Sequence, residues 1–379
     1  MPIYLDNSAT TRPCEAAILA MEQSMRVGYF NPSALYAPAL AAQQSMRTCR
    51  EVILGALHAP AGAKVIFTSG GTEADNLAIL GGLSSLRGGG RVLFGAGEHP
   101  AVREACLASG LEALPIPYDR EGRIDLDALK ALLTPDTRLI CCMQVNNETG
   151  AIQPLEQIAG LRAALAPDAL FHVDGVQGFL RVPMDMARLG VDSYALSGHK
   201  IHAPKGIGAL VAARGLRLRP RALGGGQENA LRSGTENTPG IAGLLAAIKA
   251  FPAKNGMRQS KLRLWESLRA AVPGAAVNGP APESEFAAPH ILNVSLPPVR
   301  SETLLHALEG EGIYVGIGSA CSSHKQKVSA VLQAMHTPQR EAESALRFSL
   351  SPDNTPEEME RVAAACARHY AVLSKFQRR

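Results

Sequence analysis

The chain has 379 residues, of which 46% are hydrophobic, 19% charged and 4% aromatic, with 38 basic against 34 acidic side chains and seven cysteines. At roughly 150 residues per domain, that length predicts about two domains with real cores. A net charge of +4, with no long basic run outside the terminal Gln377-Arg378-Arg379, gives no compositional sign of direct nucleic-acid binding.

The seven cysteines cannot all pair within one chain, only Cys141 and Cys142 lie close together, and neither a CxxC motif nor a zinc-type His/Cys spacing occurs. Neither a disulfide framework nor a metal site is indicated, and a reducing, cytoplasmic setting is expected. The segment MPIYLDNSATTRP lacks the basic start and apolar run of a signal peptide, so secretion is not expected. The longest strongly apolar stretch, Ile241 to Phe251, contains Lys249 and falls far short of the ~20 residues that span a bilayer. It predicts a buried helix rather than a membrane segment.

From about residue 60 to 213, short apolar or β-branched runs alternate with segments of helical period, the pattern of a largely parallel sheet with helices on its faces. Strands are predicted at Val65–Thr68, Arg91–Phe94, Ala113–Ile116, Leu139–Val145, Ala169–Val173, Ser193–Leu196 and Gly208–Ala212, with helices at about Glu73–Leu83, Ala101–Ser109, Leu126–Leu133 and Leu155–Leu165. Asp125 is the expected N-cap of the third helix, and Pro154 suits the first position of the fourth.

A second, smaller α/β unit is predicted beyond residue 250. It begins with a charged amphipathic helix at Met257–Val272 and continues with strand His290–Ser295, helix Glu302–Glu309 capped by Ser301, and strands Ile313–Gly316 and Arg347–Leu350. Thr355-Pro356-Glu357-Glu358 then opens a final helix with a capping box. The expected division is an N-terminal segment 1–12 near the active site, a large domain 13–255 and a small domain 256–379.

In open α/β sheets, ligands bind beyond the carboxyl ends of the strands. Here those ends carry Ser69-Gly70-Gly71-Thr72, Glu98-His99, Asn146-Asn147-Glu148, Asp174 with Gln177, and Ser197-Gly198-His199-Lys200, and parallel strands would gather all five sets on one edge. The glycine turn before a helix can hold a phosphate, or be an ordinary turn capped by Thr72. Asp174 at the end of a buried strand needs a cation or several donors, or serves as an N-cap. His99 can stack or shuttle protons, or be a hydrogen-bonded structural residue. Lys200 after a buried strand can be a nucleophile or base, or reach out to solvent. Taken together, a phosphate turn, a stacking imidazole, a buried carboxylate and a strand-end lysine are the parts that pyridoxal 5'-phosphate requires.

Along almost its whole length the sequence resembles the cysteine desulfurases of the NifS/IscS type, within the class V, fold-type I pyridoxal-phosphate enzymes. The resemblance runs from Tyr4-Leu5-Asp6-Asn7-Ser8-Ala9-Thr10-Thr11 through Asn31-Pro32, Thr68-Ser69-Gly70-Gly71-Thr72-Glu73-Ala74-Asp75-Asn76, Glu98-His99 and Val145-Asn146-Asn147-Glu148-Thr149-Gly150. It continues through His172-Val173-Asp174, Ser197-Gly198-His199-Lys200, Arg232-Ser233-Gly234-Thr235 and Gly318-Ser319-Ala320-Cys321 to Arg347-Phe348-Ser349-Leu350.

By position, the resemblance implies that Lys200 carries the cofactor covalently and moves the substrate's Cα proton. Asp174 would pair with the pyridinium nitrogen, His99 would stack on the ring, and Gln177 and Asn147 would bond its phenolic oxygen. Gly71, Thr72, Ser197 and His199 would surround the phosphate, with Thr235 reaching it from the partner of a homodimer. Arg347, with Asn147 nearby, would hold the carboxylate of L-cysteine, and Cys321 would take its sulfur as a persulfide. That sulfur would pass to an acceptor protein, an iron–sulfur scaffold or a thiolation enzyme.

Tyr36, Gly175-Val176 and His202-Ala203 depart from the residues common in that family, without removing a group the chemistry needs. A selenocysteine lyase or an aminotransferase of the same class is the rival within enzymes, distinguished by the need for Cys321. A non-catalytic scaffold or RNA-binding protein is the rival outside them.

Overall fold

The computed structural model describes residues 2–86, 88–318 and 329–376. Strand β1 is Ile3–Leu5; β2 to β8 are Lys64–Thr68, Arg91–Gly95, Glu112–Ile116, Thr137–Met143, Leu170–Asp174, Ser193–Ser197 and Gly208–Ala212; β9 to β12 are Ala276–Val277, Ile291–Ser295, Ile313–Val315 and Ala345–Ser349. The central sheet has seven strands in the order β2-β8-β7-β6-β5-β3-β4. Strand β8 runs antiparallel to both neighbours and the other six run parallel, so the mostly parallel α/β fold and all seven predicted strands are borne out.

Each strand of this sheet has two faces to bury, which is why the strands read as nearly continuous apolar runs. On one face Val65, Phe67, Phe171, Val173 and Leu196 pack with Met46, Cys49 and Ile53 of helix Ala37–Ala56 and with Ile241, Leu244 and Ile248 of helix Thr238–Ala250. On the other, Ile66, Ala195 and Leu210 meet Ala74, Leu77 and Ala78. The stretch around Ile241 is thus the buried helix that its composition predicts.

Helix Leu155–Leu165 has the predicted bounds, with Pro154 in the cap position just before it. Asp125 accepts from the backbone N–H groups of Asp127 and Ala128. The glycine turn differs from expectation: Gly70 holds the cap position and helix begins at Gly71, so Thr72 sits in its first turn. That helix passes into a π-turn at Leu77–Gly81.

In the smaller unit, β10 lies between β12 and β9, antiparallel to both, and β1 pairs in parallel with β11 from the far end of the sequence. Helices Met257–Ala271 and Pro356–Leu373 cover this sheet, and their core joins Leu264, Leu268, Met359 and Val362 to Leu346, Phe348 and Leu350. The Thr355–Glu358 capping box is formed in both directions. Ser301, in contrast, is the first residue of its helix rather than its cap, and its hydroxyl donates to the Glu343 carbonyl.

Candidate active site

The carboxyl ends of the parallel strands converge on a cavity of about 230 Å³. Its walls include Gly71, Thr72, His99, Asn147, Asp174, Gln177, Ser197, His199, Lys200 and Arg347, so ten of the predicted site residues lie around one space. Thr235 is exposed and is not among the lining residues. Cys321 lies outside the described residues.

Each side chain arrives there for a local reason. His99 caps helix Pro100–Leu107, its Nδ1 accepting from the Ala101 N–H at 3.1 Å, so the other ring nitrogen carries the proton of the neutral imidazole. Burial lowers its pKa, and nearby Lys200 adds to that against the opposing pull of Asp174. Asn146 builds the turn after β5 by accepting from Glu148 and Thr149 N–H groups at 2.9 and 3.0 Å, and so presents Asn147 at the rim. Asp174 ends β6 and is pushed up to about 6 by burial and by neighbouring Asp75. A cation facing it would reverse that shift.

Lys200 closes the short turn Gly198–Lys200 after β7, and its Nζ donates to the carbonyls of Ser8 and Ala9 at 2.6 and 2.8 Å. The N-terminal segment therefore contributes directly to the site. His199 Nδ1 lies 3.1 Å from Thr10 Oγ1, and burial, reinforced by Lys200, brings its pKa down to about 4.

Strand alternation explains Arg347. Leu346, Phe348 and Leu350 point into the small core, which sends Arg347 to the opposite face and across to the cavity. Its Nη2 meets Asp6 Oδ1 at 2.7 Å and its Nη1 donates to the Asn147 carbonyl at 3.0 Å. Gly316 is required beside them, because a Cβ there would fall 2.6 Å from Asp6 Oδ1 and 2.8 Å from Arg347 Nη2.

One of the motif departures, Gly175, has a steric reason. A Cβ on Gly175 would lie 1.8 Å from Tyr194 Cζ, and Tyr194 is fixed by donating to Gln144 Oε1 at 2.7 Å, so the large tyrosine demands the glycine. A Cβ on Gly71 would lie 2.6 Å from Val176 Cγ2, which couples the phosphate-type turn to the residue after Gly175.

Sequence reasoning assigned no site role to Asp6, Ser8, Ala9 or Asp75. Asp6, Ser8 and Ala9 lie within the first quoted motif, and Asp75 lies within the glycine-turn motif, where it lines the cavity and pairs with His172 at 3.1 Å. Asp75 is fully buried and pushed up to about 8, while burial takes His172 down to about 4.

Among the described residues, three buried polar atoms of lining residues meet no hydrogen-bond partner: Ser8 Oγ, Gln177 Oε1 and Arg347 Nε. Buried polar groups are nearly always satisfied, so a cluster of orphans around one cavity marks a place for a polar ligand. With the buried carboxylate of Asp174, which accepts from the Val176 N–H at 2.9 Å, a neutral imidazole and a strand-end lysine, the set fits a phosphorylated pyridine aldehyde such as pyridoxal phosphate.

The chain belongs to the class V aminotransferase family, whose model matches residues 3–362. Within it, the chain is 39% identical over 369 residues to a cysteine desulfurase of Gluconacetobacter diazotrophicus, covering 95% of this chain and 91% of that one. It is 38% identical over 370 residues to the cysteine desulfurase NifS of Azotobacter vinelandii, covering 95% and 90%. Among solved structures, a NifS-like protein aligns with a TM-score of 0.89 at 32% identity, over 98% of this chain and all of that one. SspA, solved in complex with cysteine, aligns with a TM-score of 0.81 at 29% identity over 93% of this chain and all of that one.

Proposed function

We propose that this protein is a cysteine desulfurase that uses pyridoxal phosphate to move sulfur from L-cysteine onto Cys321, releasing L-alanine. The observation that carries the proposal is the convergence of His99, Asp174, Lys200 and Arg347 on one cavity at the carboxyl edge of the sheet. The similarity to cysteine desulfurases along 95% of the chain supports it.

The bound cofactor supplies an electron sink for the pair left when the Cα–H bond breaks. Asp174 would hold the ring nitrogen, His99 would cover the ring, and Gln177 with Asn147 would meet its phenolic oxygen. Gly71, Thr72, Ser197 and His199 would surround the phosphate. Lys200 would tether the group covalently and, once released, take the proton from Cα. Arg347 would grip the substrate carboxylate with charge-assisted hydrogen bonds, drawing on the Nε that meets no partner among the described residues. The thiolate of Cys321 would attack the substrate Sγ. The S–S bond forms as the C–S bond breaks, and the carbon fragment takes up one proton at Cβ and one back at Cα and leaves as L-alanine.

A homodimer is part of this reading. Around helices Glu15–Arg26 and Ala37–Ala56, the apolar side chains of Met25, Val27, Tyr29, Leu35 and Tyr36 are exposed, Leu35 by 92%. Leu223 is 83% exposed in the segment where Ala222 bridges to Arg232, close in sequence to Thr235. A second copy covering these surfaces would remove apolar area from water and give Thr235 a site to reach. The separate cores support a large domain at 13–255 and a small one at 256–379, with segment 1–12 joining them at the site. Among the described residues no helix is long and apolar enough to cross a membrane. A reducing cytoplasm would keep Cys321 available for transfer to an iron–sulfur scaffold or thiolation enzyme.

The test is Cys321→Ala. The variant is expected to keep the cofactor's absorbance and to yield neither sulfide nor alanine from L-cysteine with a thiol reductant. Unchanged turnover would sink the proposal in favour of another class V reaction.

A further inference from the structure

The main chain of Lys200 has a partner that the reading above leaves unused. Arg181 lies in the turn after β6 and its side chain runs inward, leaving the residue 9% exposed. Its Nη2 donates to the carbonyl oxygen of Lys200. Its Nε and Nη1 are buried and meet no acceptor among the described residues, and no carboxylate there forms an ion pair with it. The Phe251 ring lies 5.9 Å from the guanidinium carbon.

A buried guanidinium without a countercharge is a poor way to stabilise a fold, and an apolar side chain of similar length would serve better. Such breaches of local consistency collect at functional sites. The surrounding backbone supplies the function. Residues on either side of Lys200 are tied to the N-terminal segment, with Thr11 N–H donating to the His199 carbonyl at 2.8 Å and His202 N–H to Thr11 Oγ1 at 2.8 Å. The charged donor of Arg181 adds the carbonyl of Lys200 itself.

We propose that Arg181 is a positioning residue that fixes the main chain at Lys200, so that Nζ swings from one pivot between the cofactor and the substrate's Cα. This rests on the assignment of Lys200 made above. A side chain with several rotatable bonds that must reach two targets needs a fixed base, because a displacement of about 1 Å at the reacting atoms costs on the order of a hundredfold in rate.

The experiment compares the full-length parent with Arg181→Met and Arg181→Lys. In Arg181→Met, kcat for alanine release from L-cysteine is expected to fall about tenfold to a hundredfold, with KM within about threefold of the parent. Covalent capture of pyridoxal phosphate by the apoprotein, followed by absorbance, should slow by about tenfold or more. Arg181→Lys should recover part of both losses, which a purely structural role would not produce. Parental kcat and parental capture rate in a folded Arg181→Met overturn the proposal. Should that variant fail to fold, Arg181→Lys decides: a slower capture rate at unchanged KM supports it, and parental values overturn it. A parent that captures no cofactor or releases no alanine refutes the functional reading first, and this inference falls with it.

Discussion

The carboxyl edge of the seven-stranded sheet and the three-stranded sheet of the smaller unit both bury polar side chains, but they treat them differently. In the small sheet the polar groups around Asn278 close on one another: Asn278 donates to Asn293 Oδ1 at 2.8 Å and to Ser295 Oγ at 2.7 Å, Ser295 donates to the Glu341 carbonyl, and Asn293 to the Glu148 carbonyl. At the large sheet's edge, Ser8, Gln177 and Arg347 each keep a buried atom that meets no partner among the described residues, and Asp174, His99 and His199 have displaced ionisation. A closed network stabilises a fold, whereas an open one is kept for a visitor. Arg347 belongs to the small sheet by its backbone and to the open network by its side chain.

The sharpest way to break this comparison is Lys200→Ala. On the proposed role of Lys200, tether of the cofactor and carrier of the proton, its loss should lower kcat by about a thousandfold or more, with the covalent cofactor band absent and the melting temperature of the apoprotein little changed. A retained covalent band would remove Lys200 from that role. Arg347→Lys is the next largest. A point charge cannot hold Asp6, the Asn147 carbonyl and a substrate carboxylate at once, so kcat/KM for L-cysteine should fall about tenfold to a hundredfold, mainly through KM.

Asn278→Ala tests the closed side. Removing its amide strands the acceptors it satisfies, which should cost about 1–3 kcal/mol in chemical denaturation while kcat/KM stays at the parental value. A large loss of activity with unchanged stability would erase the distinction between the two networks.

Much of this site was legible because the rule for parallel strands is local in sequence: each apolar run ends where its chemistry begins, as at Val173-Asp174 and Leu196-Ser197. The remainder depended on contacts between distant segments. The carbonyls of Ser8 and Ala9 receive Lys200 Nζ only because β1 pairs with β11 and carries the following segment over the cavity. No local periodicity encodes that pairing. Helices Glu15–Arg26 and Ala37–Ala56 were also missed. In the first, Ala17 is the one buried residue while Ile18, Leu19 and Met25 are exposed, so no single apolar face faces the chain's own core. Asp75 sat in a recognised motif, yet its part in the cavity depends on how helix Gly71–Asn76 packs over His172.

The central claim is that the open network serves sulfur abstraction rather than another reaction of the same cofactor. The most direct measurement is incubation of the cofactor-loaded protein with L-cysteine in the absence of reductant, followed by mass spectrometry of the peptide containing Cys321. The account predicts one added sulfur atom on Cys321, removed by a thiol reductant, with one L-alanine released for each sulfur retained. Alanine formation with Cys321 unmodified, or a keto acid product in place of alanine, would contradict it.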